Sequence, residues 1–253
     1  MKKHYLLIFC LLLVAGSLFS QDVNDLKLRV EKGSIQMATD DGQFKFGIGG
    51  RIFMDAAAYF DDKTDLGSGS EIRDARLLFK ATVWKNWNAK INIGFDGGNA
   101  SLKDVFLQYN INTNSFFRAG HFLEPFGIEQ TESSKTIKFM NFSSTVEAFR
   151  PGRNLGVSYD RWGKNYYWAL GLFGSDVNNT VSNQDEDFGI TSRLVVSPFH
   201  KENIMHFGLS GTYRSVNPVT VETNNGYGYS STETTRSVRY RSRAATHIEG
   251  RRF

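Results

Sequence analysis

Between residues 44 and 60 the even positions are apolar or small, with Phe44, Phe46, Ile48, Ile52, Met54, Ala56, Ala58 and Phe60, whereas the odd positions include Lys45, Arg51 and Asp55. A period of two sends alternate side chains to opposite faces of a strand, so this segment has one greasy face and one charged face. The pattern returns where Ala75, Leu77, Phe79, Ala81 and Val83 alternate with Asp74, Arg76, Lys80 and Thr82. It returns again where Ala89, Ile91, Ile93 and Phe95 alternate with Lys90, Asn92 and Asp96. After residue 21 no apolar run approaches the roughly 20 residues that a spanning helix needs, so residence in a bilayer requires a closed sheet. Aromatic residues make up 14% of the chain while mean hydropathy is −0.35, a pairing expected where aromatic rings face lipid and polar groups face water.

Less regular strand signals cover residues 102–111, 116–122, 155–160, 166–174, 190–197, 204–213 and 237–244, giving roughly ten strands. Their connections alternate in length. Short ones fall at 85–88, 112–115, 161–165 and 198–202, and long ones at 61–70, 96–101, 124–152, 175–189 and 215–236. That order predicts an all-β, antiparallel up-and-down transmembrane β-barrel with tight turns at one end and long loops at the other. Aromatic residues gather at the short turns, with Trp84 and Trp87, Phe116 and Phe117, Trp162, Tyr166, Tyr167 and Trp168, and Phe199, and so predict an interfacial girdle. The longest connection, 124–152, is too long for an idle loop and is expected to fold inward as a constriction.

Residues 1–20 carry Lys2 and Lys3, an apolar run from Tyr5 to Ala15, and small or polar residues around Ser17 and Ser20. This predicts a cleaved export signal followed by one barrel domain over 21–253. Cys10, the single cysteine, lies inside the signal, which leaves the mature chain without thiol or disulfide chemistry. Losing both lysines lowers the formal charge from +4 to +2, so the basic pI is no argument for nucleic acid. No metal-ligand spacing joins His121, His200, His206 and His247, and no serine sits in a G-x-S-x-G elbow. The chain therefore reads as neither an enzyme nor a cofactor or metal protein.

Basic residues carry more information. Arg239, Arg241 and Arg243 alternate with Val238, Tyr240 and Ser242, which puts three guanidinium groups about 7 Å apart on one strand face. Lipid rejects such a row, and a wet interior can use it to hand anions from one forked donor to the next. A solvated basic edge beside a loop fits the same spacing equally well. By parity Arg51, Arg76, Lys80, Lys90 and Arg193 face inward too, and Lys135, Lys138 and Arg150 lie in the long loop with Arg153 just beyond it. Asp55, Asp74 and Asp96 share that face and weaken its field. Arg118 stands on a strand of poor phase.

Several short motifs then occur in order. They are Gly50-Arg51 with Asp55, Ala75-Arg76-Leu77, Lys103-Asp104, Glu124-Pro125-Phe126, Ser133-Ser134-Lys135, Phe139-Met140, Pro151-Gly152-Arg153-Asn154-Leu155-Gly156 and Gly171-Leu172-Phe173. With the arginine row, they make the chain resemble the phosphate-selective porins O and P of bacterial outer membranes. The resemblance implies a barrel of about sixteen strands, a homotrimer, and a third long loop inside the pore. It also implies lumen arginines that guide phosphate or related anions, with Arg51 and Arg76 on the wall, Arg150 and Arg153 at the constriction, and Arg239, Arg241 and Arg243 as the guiding row. Leu123 departs from the basic residue that many members carry before the E-P-F motif. Ala244 and Ala245 depart from a Pro-Glu pair after the arginine row.

The expected function is passive diffusion of anions, phosphate or polyphosphate among them, across the outer membrane. With roughly ten strands against about sixteen, the chain is expected to be a C-terminally shortened member whose barrel is partial or incompletely closed. The alternative is a non-conducting barrel that serves as an anchor or adhesin through its long outer loops.

Overall fold

The computed structural model describes residues 26–31, 33–60, 68–95, 99–133, 135, 142–178, 188–199, 205–215, 219–224 and 230–235. These residues form eleven strands in one antiparallel sheet whose spatial order is the sequence order. They are β1 (Lys27–Glu31), β2 (Ser34–Ala38), β3 (Lys45–Ala57), β4 (Gly69–Val83), β5 (Trp87–Gly94), β6 (Ser101–Asn112), β7 (Ser115–Leu123), β8 (Arg153–Trp162), β9 (Tyr166–Phe173), β10 (Phe188–Val196) and β11 (Phe207–Ser215). A separate hairpin, β12 (Val219–Asn224) with β13 (Ser230–Thr235), follows. The loop after β7 holds two short helices, α1 (Ile128–Thr131) and α2 (Ser144–Phe149).

Every neighbour pairing in the large sheet is antiparallel, as an up-and-down wall requires. Two hairpins add to the strands read from sequence. β1 and β2 lie before the first alternating segment, and β12 and β13 occupy what reads as the long loop 215–236. β12 and β13 are rich in Ser and Thr and show no strong apolar alternation, whereas β1 and β2 alternate Leu28, Val30, Ile35 and Met37 with polar residues but run only five residues each. The last strand expected from sequence, 237–244, lies outside the described residues.

Alternation governs the wall. In β10 the odd residues Gly189, Thr191, Arg193 and Val195 are buried while Phe188, Ile190, Leu194 and Val196 are exposed. Polar groups lie on the covered face, among them Asp74, Asn92, Asp104, Ser158, Asp160 and Arg193. Large apolar side chains such as Ile52, Leu107, Leu170 and Leu209 stand exposed on the other. This is the reverse of a water-soluble domain, and it suits a sheet whose outer surface meets hydrocarbon.

Aromatic rings line up in a row on one face only. Trp87, Tyr109, Phe117 and Tyr159 are successive cross-strand partners on β5 to β8. Ring centroids lie 4.8 Å apart for Trp87 and Tyr109, 4.9 Å for Phe117 and Tyr159, and 5.2 Å for Tyr159 and Trp168. Phe116, Trp162 and Tyr167, their chain neighbours, point to the opposite face and leave the row, because adjacent strand residues cannot share a side. Phe116 and Trp162 meet there at 5.9 Å.

Bulges adjust the phase at three points. Register shifts opposite Phe53 and Met54 leave Arg73 as an extra residue on β4, a shift between Ile91 and Ile93 sets Lys103 and Asp104 of β6 against Asn92 on β5, and a third lies between Asn110 and Asn112 at the end of β6. The first two each bring a basic and an acidic neighbour together at the covered face, an arrangement that strict alternation forbids.

Placing a charge on the apolar face tests this polarity. Leu107→Arg, two residues from the Tyr109 ring row and so between interface and midplane, is expected to cost about 1–2 kcal/mol of folding free energy in lipid vesicles. A urea titration in vesicles measures it, and a loss within about 0.5 kcal/mol would mean that this face does not meet lipid.

Candidate functional site: a charged inner wall beneath a docked loop

The covered face gathers its charges around carboxylates. Asp74 on β4 accepts from Arg51 Nη2 at 2.5 Å and from Arg76 Nε at 2.6 Å, and Arg51 and Arg76 are direct cross-strand partners. Two guanidinium groups side by side would repel; the shared carboxylate lets the pair persist. Arg73 on the bulge pairs with Asp55, and the ring of Phe53 lies 4.8 Å from the Arg51 guanidinium carbon and 5.3 Å from that of Arg73.

Asp104 makes a second centre. It receives Lys90 Nζ at 2.7 Å and Arg153 Nε at 2.8 Å, which ties β5 to the first residue of β8 across two intervening strands. The β6 bulge aims Asp104 into this position.

The third centre is Glu124, wholly buried at 0% exposure where the chain leaves β7. Its carboxylate accepts from Asn154 Nδ2 on β8 at 2.6 Å, from the Thr191 hydroxyl on β10 and from the Arg214 guanidinium on β11. The same residue closes the loop base. Its N–H donates to Gly152 O at 3.1 Å, and Gln130 Nε2 donates to the Glu124 carbonyl at 3.0 Å.

From that base the loop runs over the inner wall. Arg193 Nη1 donates to Gly127 O and to Thr131 Oγ1, each at 2.6 Å, and Gly127 N–H reaches Ser210 Oγ at 3.3 Å. A segment that leaves β7 is thus seated on β10 and β11, three and four strands away. Farther along, Ser143 caps α2 by accepting from Val146 N–H, and Arg150 pairs with Glu147 at 2.8 Å while lying 4.5 Å from the Phe142 ring.

The basic residues read from sequence therefore divide by partner. Arg51, Arg76, Lys90, Arg150 and Arg153 are each paired with a carboxylate. Arg193 is held by neutral oxygens and is 8% exposed. Lys80 lies on the same face opposite Lys90, exposed and without an ion pair among the described residues. Lys135 is exposed in the loop. Lys138, Arg239, Arg241, Arg243 and Asp96 lie outside the described residues.

Comparison with known proteins agrees with this wall. A family model described as phosphate-selective porin O and P matches residues 46–249, well over half of the 253 residues. The chain belongs to the phosphate-selective porin O and P family. It is 24% identical over 200 residues to "Porin O" of Pseudomonas aeruginosa, covering 73% of this chain and 45% of that protein. It is also 26% identical over 206 residues to an uncharacterized protein of Caulobacter vibrioides, covering 75% of this chain and 40% of that one. The chain spans less than half the length of these relatives.

Sequence parity overlooks three functional groups of this porin wall. Arg73 is hidden by its bulge, since it sits at an odd position two residues from an outward neighbour. Arg214 lies just beyond the 204–213 segment read as a strand, although its pairing with Gly189 carries β11 on to Ser215. Arg118 belongs to the inner face, with Nε and Nη2 donating to Gln108 Oε1 at 3.1 and 2.8 Å. Its phase is obscured by Gly120, whose φ of +134° and close approach to Val105 O leave both His121 and Phe122 buried.

The Glu124 centre predicts a measurable coupling. Glu124→Gln should cost about 3–5 kcal/mol, because it strips the charge from a buried acceptor and leaves Arg214 unpaired. In a cycle with Arg214→Gln, urea titration should return a coupling above about 1 kcal/mol, and additive losses would show that the two side chains do not share one centre.

Proposed function

We propose that this chain forms the wall of an outer-membrane diffusion channel that passes small anions, inorganic phosphate among them, with no chemical step. The observation that carries this reading is the polarity of the sheet. Charged groups lie on the face that the loop after β7 covers, and apolar side chains crowd the opposite face. A basic, partly desolvated passage concentrates anions and repels cations, because the field of fixed charges is focused between low-dielectric walls. Membership of a family described as phosphate-selective supports phosphate as a substrate.

In this reading residues 1–20 are the export signal, residues 21–253 the barrel domain and residues 124–152 the loop that narrows the passage. The docking of Gly127 and Thr131 on Arg193 supports an inward course for that loop. Lys80, Lys135, Lys138 and Arg193 would act as attractive charges, and Arg239, Arg241 and Arg243 as a guiding row. Arg51, Arg76, Lys90, Arg150 and Arg153 would supply hydrogen-bond donors more than net field, since each shares a carboxylate. Selectivity is then graded, and the working assembly is a homotrimer in outer-membrane lipid.

Conductance in planar bilayers tests this. A closed barrel that includes this wall, under a potassium chloride gradient, should give a reversal potential of anion-favouring sign. Replacing Arg239, Arg241 and Arg243 together by Glu should lower the anion-to-cation permeability ratio by about tenfold, as loss of a few kT of lumen potential implies. An unchanged reversal potential removes the guiding row from the account, and no conductance at all removes the channel.

A further inference from the structure

A cleft of about 330 Å³ opens on the inner face between β5, β6, β7, β8 and β9 and the start of the long loop. Its size falls at the low end of the range for small-molecule sites. Its lining is unusual for a surface meant to be wet. Phe106, Phe116, Phe122, Leu123 and Pro125 contribute to it, although the neighbouring inner surface is built from charged and amide side chains. Phe106 and Phe122 meet edge to face with ring centroids 6.1 Å apart, and Phe122 packs in the same way on Phe173 at 5.4 Å. The apolar wall is therefore fixed in place.

Arg118 stands in the middle of these rings. Its guanidinium carbon lies 4.5 Å from the Phe106 centroid, 4.7 Å from that of Phe116 and 5.2 Å from that of Phe122. Both Nε and Nη2 donate to the one oxygen of Gln108, which orients the plane without cancelling the charge. Nη1 has no partner, and no carboxylate lies within ion-pairing distance of Arg118, among the described residues. Unlike Arg51, Arg76 and Arg153, it is a preorganised cation with a donor to spare.

The two carboxylates of the cleft are already engaged. Asp104 is shared by Lys90 and Arg153, and Asp160 accepts from Ser158 Oγ at 2.8 Å and Tyr167 Oη at 2.6 Å. The Asp160 carboxylate, held by these two hydroxyls, opposes a second negative charge on any ligand that reaches Arg118. One cation, apolar walls and a nearby carboxylate favour a ligand with a single negative charge and a flat apolar body.

We propose that the cleft beside Arg118 binds small organic monoanions, a carboxylate carried on an apolar ring or chain, in preference to inorganic anions of the same or higher charge. The carboxylate takes the Nη1 side of the Arg118 guanidinium, which Gln108 leaves open, and the apolar body lies against Phe116, Phe122, Leu123 and Pro125. The inference rests on reading the inner face as an accessible lumen, and it extends that reading from inorganic ions to an organic class.

Calorimetric titration of the full chain folded in detergent micelles tests it, with benzoate, acetate and inorganic phosphate as probes. Benzoate should bind at least about tenfold more tightly than either other anion, and Arg118→Gln should abolish that preference. Asp160→Asn should narrow the gap between benzoate and phosphate several-fold, and it serves as the deciding variant if Arg118→Gln does not fold. Equal affinities for benzoate and acetate, or a benzoate preference unchanged by both substitutions, overturn the proposal. Because binding is read without current, the two readings fail separately. Anion-selective conductance without benzoate preference overturns only the organic-anion site, whereas an Arg118-dependent benzoate preference in a chain that does not conduct upholds the site and sinks only the channel.

Discussion

A peptide group without a hydrogen-bond partner costs several kcal/mol in hydrocarbon, and a sheet that crosses a bilayer has to satisfy each such group through its neighbours. That constraint sets the order of this wall. Consecutive strands pair because short turns join them, and the eleven-strand sheet keeps sequence order throughout. Once backbone pairing is fixed, side chains have only two directions available, and sorting them into an apolar outer set and a charged inner set follows from the pleat. The chemistry of the inner face is thus a consequence of how the backbone is satisfied.

Charges brought together in this way need compensation. Asp74, Asp104 and Glu124 each collect groups from separate strands, so each works as a cross-strand tie as well as a neutraliser. Glu124 has the widest reach, since it joins β8, β10 and β11 to the point where the loop departs from β7. A carboxylate with 0% exposure is tolerable only because its oxygens are supplied with donors. The loop's course across the inner wall depends on this centre and on Arg193, whose two bonds seat α1. What is left after compensation is a small number of cations, Arg118, Arg193 and Lys80, that make no ion pair among the described residues. In a passage of this kind the uncompensated charges set the field, and the compensated ones set the shape.

Much of this was legible in the sequence. Strands with unbroken alternation, such as residues 44–60 and 89–95, announce their faces, and the alternation of short and long connections announces the up-and-down order. Legibility fails where the period breaks. Arg73 and Lys103 sit at bulges that shift the phase by one residue, and Gly120 lets two consecutive side chains, His121 and Phe122, be buried together. Hairpin β12–β13 escapes because Ser and Thr give little apolar contrast, and β1–β2 because five alternating residues per strand make too short a run. The aromatic row was half legible, since residues near a turn divide between faces by parity and not by proximity. Partner choice among the arginines has no sequence signature at all. Whether a guanidinium meets Asp74, Gln108 or a backbone carbonyl depends on register between strands far apart in the chain.

Solvent accessibility measured residue by residue along β10 tests the sorting of faces most directly. With Cys10 replaced by serine, single cysteines from Phe188 to Val196 would carry a nitroxide label in protein reconstituted in lipid vesicles. Collision with oxygen, which concentrates in hydrocarbon, should peak at Ile190, Ser192, Leu194 and Val196 and fall at Thr191, Arg193 and Val195. A profile with helical period, or one with Arg193 in the oxygen-rich set, would contradict the account.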